Sequence, residues 1–129
     1  METVPYDKRS GKIWFNGELV NWTNAKVHVL NHGLHYASCV FEGERVYDGE
    51  IFKLEEHTDR LFYSAKRMGI VIPYGSKEIN TASKEIVTAQ KIKNGYVRPV
   101  VWRGSEMMAI SAQKNKIHVA IASWEWGSY

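Results

Sequence analysis

The sequence has little cysteine and little proline, and it has no hydrophobic segment long enough to cross a membrane. Its 129 residues include one cysteine, Cys39, and three prolines. A single cysteine excludes an internal disulfide and is typical of proteins in a reducing compartment. No apolar run approaches the roughly 20 residues that a transmembrane helix needs, and residues 1–5 lack the basic and apolar regions of a signal peptide. We therefore expect a cytoplasmic protein without a membrane partner.

A strong charge of one sign is also missing. The formal net charge is +3, and its carriers are dispersed along the chain. The sequence contains no basic stripe and no nucleic-acid recognition motif, so we expect no nucleic-acid partner. Aromatic residues, by contrast, are abundant, with five tryptophans and seven tyrosines. They can fill a core, line a pocket or cover an interface, and composition does not separate these uses.

The length fits one domain, which we expect to span residues 12–129 after a loose polar arm at residues 1–11. Two hairpins are predicted by their turns. Asn16-Gly17 separates two short apolar segments, and Asp48-Gly49 separates residues 45–47 from residues 51–53. Residues 26–41 have no clean period and predict strand fragments and a long loop.

Two helices are predicted, over residues 54–68 and 76–93. The first has Leu61, Ala65 and Met68 on one face and Gly69 as a stop. The second has Ser76 as a plausible cap and a buried stripe at Ile79, Ala82, Ile86 and Ala89. Strands over residues 96–102 and 116–123 follow, the latter apolar enough to be central. This order favours an α+β fold in which two helices pack on a mostly antiparallel sheet.

One strand has features of a binding site. Strand alternation puts Tyr96, Arg98 and Val100 on one face. An arginine within an apolar strand needs a partner or access to water, so a tyrosine and an arginine on one face indicate a site more than packing.

Three segments carry a family resemblance. The first is the run His-Gly-Leu-His-Tyr at 32–36, followed by Val-Phe-Glu-Gly-Glu-Arg at 40–45. The second is Glu-His-Thr-Asp-Arg-Leu at 56–61, and the third is Tyr-Val-Arg-Pro at 96–99 with Trp-Gly-Ser-Tyr at 126–129. Together they resemble the amino-terminal small domain of fold-type IV aminotransferases. The Phe-Glu-Gly-x-Arg and Tyr-x-Arg-Pro patterns point to the branched-chain amino acid aminotransferase family.

The resemblance implies pyridoxal 5'-phosphate as the cofactor and Arg60 as a contact of its phosphate. A planar guanidinium suits phosphate better than a flexible ammonium does. From the residues alone, Arg60 is instead an exposed arginine paired with Glu56 at helical spacing.

The resemblance also implies that one pocket accepts leucine, isoleucine or valine and then glutamate or 2-oxoglutarate. It assigns Phe41, Trp126 and Tyr129 to the pocket wall and Tyr96 to the substrate carboxylate. Arg98 would receive the distal carboxylate of glutamate, with the hydroxyls of Tyr36 and Tyr129. The remaining expected substrate contacts are Gly43 for close backbone approach, Arg45 at the entrance, and Tyr36 and Ile110, which in family dimers reach the neighbouring subunit's pocket.

The lysine that binds the cofactor covalently lies, in this family, in a carboxy-terminal domain. We find no matching motif here and expect that domain to be absent from this sequence, which we interpret as truncated and inactive alone. The loop at residues 107–110 also departs from the family, with Ala109 where glycine is usual. We therefore assign no catalytic residue within the chain.

Several alternatives stay open. A D-amino-acid aminotransferase or an aminodeoxychorismate lyase would share the fold, and a small non-enzymatic binding domain is a further possibility. His28, His32 and His35 have helical spacing, but no accompanying carboxylate motif is present and Asn31-Gly33 argues against a helix, so we expect no metal site.

Overall fold

The computed structural model describes residues 4–127. Within them, seven strands form one sheet whose strand pairs are antiparallel. The strands are β1 (Lys12–Phe15), β2 (Glu18–Asn21), β3 (Cys39–Phe41), β4 (Glu44–Tyr47), β5 (Glu50–Ile51), β6 (Gly95–Arg103) and β7 (Ile117–Glu125). Their order is β2-β1-β7-β6-β4-β5, and β3 also pairs with β6. The predicted α+β fold is confirmed, and β7 lies centrally.

Both predicted hairpins are present. Asn16 and Gly17 turn between β1 and β2 with φ of 50° and 98°, and Asp48 and Gly49 turn between β4 and β5 with φ of 51° and 80°. Two consecutive positive φ angles are what the tightest hairpin turns require, and Asn-Gly and Asp-Gly adopt them readily.

Three α-helices occur in the described part of the chain: α1 (His32–Tyr36), α2 (Leu54–Arg67) and α3 (Ser76–Ala89). Helices α2 and α3 pack against each other, and α3 contacts β1, β6 and β7. Gly69, with φ of 69°, ends α2 as predicted, and the Ile70 amide donates to the Ala65 carbonyl at 2.8 Å. None of the helices described is long and apolar enough to span a bilayer.

The core lies between these two helices and one face of the sheet. Its fully buried members include Leu61 of α2 and two residues of α3, and from the sheet Val97, Val101, Val119 and Ile121. Two residues of the predicted stripes are not in it. Met68 is 46% exposed because α2 ends at Arg67, and Ala89 is exposed at the last position of α3.

Helix α1 corrects the prediction that residues 26–41 contain no helix. The Asn31 side chain accepts a hydrogen bond from the Leu34 amide at 3.3 Å, and Ala37, with φ of 55°, follows the last turn. The Asn-x-Gly sequence that argued against a helix thus supplies its amino-terminal cap.

The ends of α3 also differ from the prediction. Gly75, not Ser76, is the capping position, and its amide donates to the Glu78 carboxylate at 3.1 Å. The helix ends at Ala89 because Lys91 has φ of 55°, and the Ile92 amide donates to the Val87 carbonyl at 3.0 Å.

The predicted loose arm is partly ordered against the domain. Tyr6–Lys8 form a 3-10 helix, and the Trp22 indole donates to the Tyr6 carbonyl. The Tyr6 ring packs edge-on against Trp124, with 5.2 Å between centroids. The described part of the arm therefore packs on β7.

Candidate functional site

The two faces of β6 have different surroundings. Val97 and Val101 point into the core under the helices. Arg98 and Val100 point to the opposite face, where they line an open groove of about 530 Å³. The groove is bordered by apolar side chains of β1, β6, β7 and residues 25–39, and Arg98 is the charged member of its described lining.

Arg98 is held by two aromatic side chains on that face. Its Nη2 and Nε atoms donate to the Tyr96 hydroxyl at 2.8 and 3.3 Å. Its Cζ atom lies 4.2 Å from the centroid of the Phe41 ring, on the strand β3 that pairs with β6. These contacts fix the direction of the guanidinium without neutralising its charge, so it can receive an anion from the groove.

Gly43 is required by the hydroxyl that binds Arg98. A Cβ atom at residue 43 would lie 2.1 Å from the Tyr96 hydroxyl and 2.8 Å from its Cζ atom. The glycine expected to allow close backbone approach therefore admits the Tyr96 side chain.

The Tyr96 ring belongs to an aromatic group at the end of β7. Its centroid lies 5.1 Å from that of Trp124 and 4.9 Å from that of Trp126. Arg45 joins this group because its Nη2 atom donates to the Trp126 carbonyl at 3.1 Å. The expected substrate contacts Phe41, Gly43, Arg45, Tyr96, Arg98 and Trp126 are thus linked through the described contacts.

A second cationic group lies at the surface of α2. The Arg60 side chain is 65% exposed, and its Nε and Nη2 atoms donate to the two carboxylate oxygens of Glu42 at 2.7 and 2.8 Å. The His57 Nδ1 atom lies 2.8 Å from Glu42 Oε1. Burial opposes ionisation of Glu42, but the bonds from Arg60 and His57 outweigh it and lower the pKa of the carboxyl.

Glu44 is a buried carboxyl with an unusual environment. Its side chain is among the fully buried ones, and neither oxygen has a hydrogen-bond partner within residues 4–127. Burial, with a smaller effect of the Glu42 charge, raises the pKa of Glu44 to about 8. The carboxyl is therefore neutral at pH 7.

Sequence comparison decides the family. A model described as amino-transferase class IV matches residues 39–129, which is most of the chain. The chain belongs to the class IV aminotransferases.

Within this family, the chain is similar to branched-chain enzymes. It is 50% identical, over 125 residues, to a branched-chain-amino-acid aminotransferase from Pseudomonas aeruginosa, covering 94% of this chain and 41% of that protein. A branched-chain amino acid aminotransferase from T.th., solved with pyridoxamine 5'-phosphate, has a TM-score of 0.89 and 39% identity, with coverage of 94% and 41%. The Escherichia coli enzyme gives 0.88 and 36%, with the same coverage. The chain thus spans about two fifths of the length of these relatives.

Two expected site residues of this class IV aminotransferase chain lie apart from the groove lining. The Tyr36 hydroxyl donates to the Met108 carbonyl at 2.9 Å, and Ile110, on the same loop, is 83% exposed. The structure therefore brings Tyr36 together with the loop that contains Ile110. Tyr129 lies outside the described residues.

The three histidines considered as metal ligands make separate contacts. His32 pairs with Ser38 Oγ at 2.6 Å and with the Ala109 carbonyl at 2.9 Å. His35 binds the Val29 carbonyl, and His28 Nδ1 accepts from the Leu30 amide. Among residues 4–127, no three His, Cys, Asp or Glu side chains are grouped as metal ligands.

Reasoning from the residues alone did not identify the partner of Arg60. Helical spacing favoured Glu56, but Glu56 pairs with Lys53 at 3.4 Å. Glu42 lies 18 positions before Arg60 in sequence. Its presence inside the Phe-Glu-Gly-x-Arg motif was the available signal, because an acidic residue amid apolar strand residues needs a buried partner.

Proposed function

We propose that this chain is the amino-terminal domain of a branched-chain amino acid aminotransferase. Such an enzyme moves an amino group between leucine, isoleucine or valine and 2-oxoglutarate. The observation that carries the proposal is the half-buried Arg98 on an apolar groove, held by Phe41 and Tyr96. An apolar surface suits branched side chains, and a single fixed cation suits the second carboxylate of glutamate.

Pyridoxal 5'-phosphate is the proposed cofactor, and a relative of similar fold was solved with its amino form. When bound, this group takes up and returns the amino group and stabilises negative charge at the substrate's α-carbon. The exposed edge of the Arg60 guanidinium, opposite the bond to Glu42, fits a phosphate oxygen. We propose Arg60 as one phosphate contact among several.

The substrate is oriented by the groove residues in this proposal. Phe41 and Trp126 form apolar walls, with Tyr129 expected beside them. Tyr96 lies next to the substrate carboxylate and fixes Arg98 for the distal carboxylate. Gly43 leaves space for the Tyr96 hydroxyl, as a Cβ there would overlap it. Arg45, which binds the Trp126 carbonyl, organises the entrance.

A carboxy-terminal domain is proposed to supply the covalent lysine and the remaining phosphate contacts, because the relatives are longer than this chain. We also propose a homodimer in which the exposed Tyr36 and Ile110 contact the neighbouring subunit's pocket. The enzyme is proposed to be cytoplasmic.

The test is an assay of the complete product of the encoding gene with pyridoxal phosphate. We expect turnover with L-leucine and 2-oxoglutarate, and none with residues 1–129 alone, which offer no base placed for the proton transfer. Turnover with D-alanine in place of L-leucine, or release of aminobenzoate from aminodeoxychorismate, would replace the branched-chain proposal by another class IV activity.

A further inference from the structure

Arg60 is fixed by a residue outside its own helix. The side chain is largely exposed, yet two of its nitrogens bind both oxygens of one carboxylate. A bidentate arginine–carboxylate pair sets the plane of the guanidinium as well as its position. Without Glu42, an arginine at this site on α2 would sample many rotamers.

Glu42 is itself fixed by the sheet and by α2. Its amide donates to the Pro99 carbonyl of β6 at 3.1 Å, and its side chain is only 4% exposed. His57, one turn before Arg60 on α2, contacts the same carboxylate oxygen that Arg60 Nη2 contacts. The pKa of Glu42 is lowered, so the carboxylate is charged at neutral pH.

The neighbours of Glu42 belong to the groove. Phe41 packs on the Arg98 guanidinium, and Gly43 lies against the Tyr96 hydroxyl. One short segment between β3 and β4 therefore contacts both Arg98, on the groove face of β6, and Arg60, on α2. Residue 42 connects the two cations through a single peptide run.

From these contacts we infer that Glu42 is a positioning residue for the cofactor phosphate, acting through the Arg60 guanidinium. The inference rests on the proposed role of Arg60. Two effects of Glu42 oppose each other. Its negative charge weakens attraction of any phosphate near Arg60, whereas the bidentate pair removes the entropy cost of ordering a long side chain when phosphate binds. At an exposed site solvent screens the charge effect, so the ordering effect prevails.

The test uses the complete gene product and measures retention of pyridoxal phosphate by equilibrium dialysis and by its absorbance. Glu42→Gln keeps the shape of the side chain but removes the charge-assisted pair. We expect it to weaken cofactor binding about tenfold, the order of the entropy of one arginine side chain. Glu55→Gln removes an exposed carboxylate from the first turn of α2 and should leave retention unchanged.

Two further variants distinguish positioning from a general effect on folding. Arg60→Lys keeps the charge at an exposed position but cannot form the bidentate pair, and should weaken retention to a similar extent. In an Arg60→Ala background, Glu42→Gln should have no additional effect, because Glu42 acts through Arg60. An equal loss in both backgrounds would overturn the inference in favour of a structural role.

The remaining outcomes separate this inference from the proposed function. If Arg60→Ala weakens retention but Glu42→Gln leaves it unchanged or tightens it, the positioning role is wrong and the phosphate contact stands. Wild-type retention by Arg60→Lys would likewise overturn the positioning role. If Arg60→Ala itself leaves retention unchanged, both the phosphate contact and the inference fail.

Discussion

Arg98 and Arg60 are both fixed arginines, but their partners differ in charge. Arg98 contacts neutral aromatic groups, and none of the salt bridges within residues 4–127 includes it. Arg60 is half of an ion pair with Glu42. The arrangement of Tyr96 with Arg98 followed from strand alternation, because neighbours two positions apart share a face. The pair of Arg60 with Glu42 did not, because it depends on how α2 packs on the sheet.

At Gly43, a single methyl group is expected to disturb the site. Gly43→Ala would put its Cβ 2.1 Å from the Tyr96 hydroxyl, so the ring must move and Arg98 loses a partner. We expect a loss of about 1–3 kcal/mol in the free energy of unfolding, measured with denaturant. Adding Tyr96→Phe should restore part of it.

Gly127→Ala is the matched control, because nothing lies within 4 Å of a Cβ at that position. A cost at Gly43 equal to that at Gly127 would show that the Tyr96 hydroxyl is not confined as described.

Glu44 predicts a dependence of stability on pH. Its pKa is about 8 in the folded protein and 4.5 ordinarily, so the folded state binds the proton more tightly. Stability from this group is complete below pH 4.5 and is lost as pH rises through about 8. The loss amounts to about 4 kcal/mol in the free energy of unfolding.

Glu44→Gln cannot ionise, so it should remove this decline while leaving stability below pH 4.5 little changed. Urea unfolding between pH 5 and pH 9 measures the difference between the two proteins. The same slope in both would mean that Glu44 is not the titrating group. Glu42, whose pKa is lowered, has the opposite sign: its contribution is lost as pH falls below its ordinary range.

Among the elements, those set by local turn chemistry were predictable. The two hairpins and the glycine at the end of α2 depend on residues that adopt positive φ readily. Helix α1 and the end of α3 were not predictable by the same rule. Asn31 lies before a glycine, and Lys91 takes a left-handed conformation that its side chain disfavours. In both cases tertiary packing outweighs local preference.

Lys91 therefore offers a stabilising substitution. Lys91→Gly should relieve the left-handed strain, which costs an ordinary residue about 1–2 kcal/mol, and raise the free energy of unfolding by up to about 1 kcal/mol. The exposed Lys84, inside α3, is the control, since Lys84→Gly should lower stability by about 1 kcal/mol. Thermal unfolding of both variants gives the comparison. Destabilisation by Lys91→Gly would contradict the left-handed assignment.

At the scale of the whole molecule, the sheet separates two surfaces. Helices α2 and α3 cover one face, and the other is an open apolar groove with Arg98 in its lining. The division was foreseeable from strand periodicity together with amphipathic helices. The contact between Tyr36 and the loop of Ile110 was not, because it joins segments 72 positions apart in sequence.

The central claim is that the two arginines serve different anions, and kinetics of the complete enzyme test it most directly. Arg60→Ala should weaken retention of pyridoxal phosphate. Arg98→Ala should raise the KM for 2-oxoglutarate by about 10- to 100-fold while sparing the half-reaction with leucine, because only the second substrate has a distal carboxylate. Arg67→Ala, at the end of α2, should do neither. If Arg98→Ala slowed both half-reactions equally, the assignment of Arg98 to the distal carboxylate would be wrong.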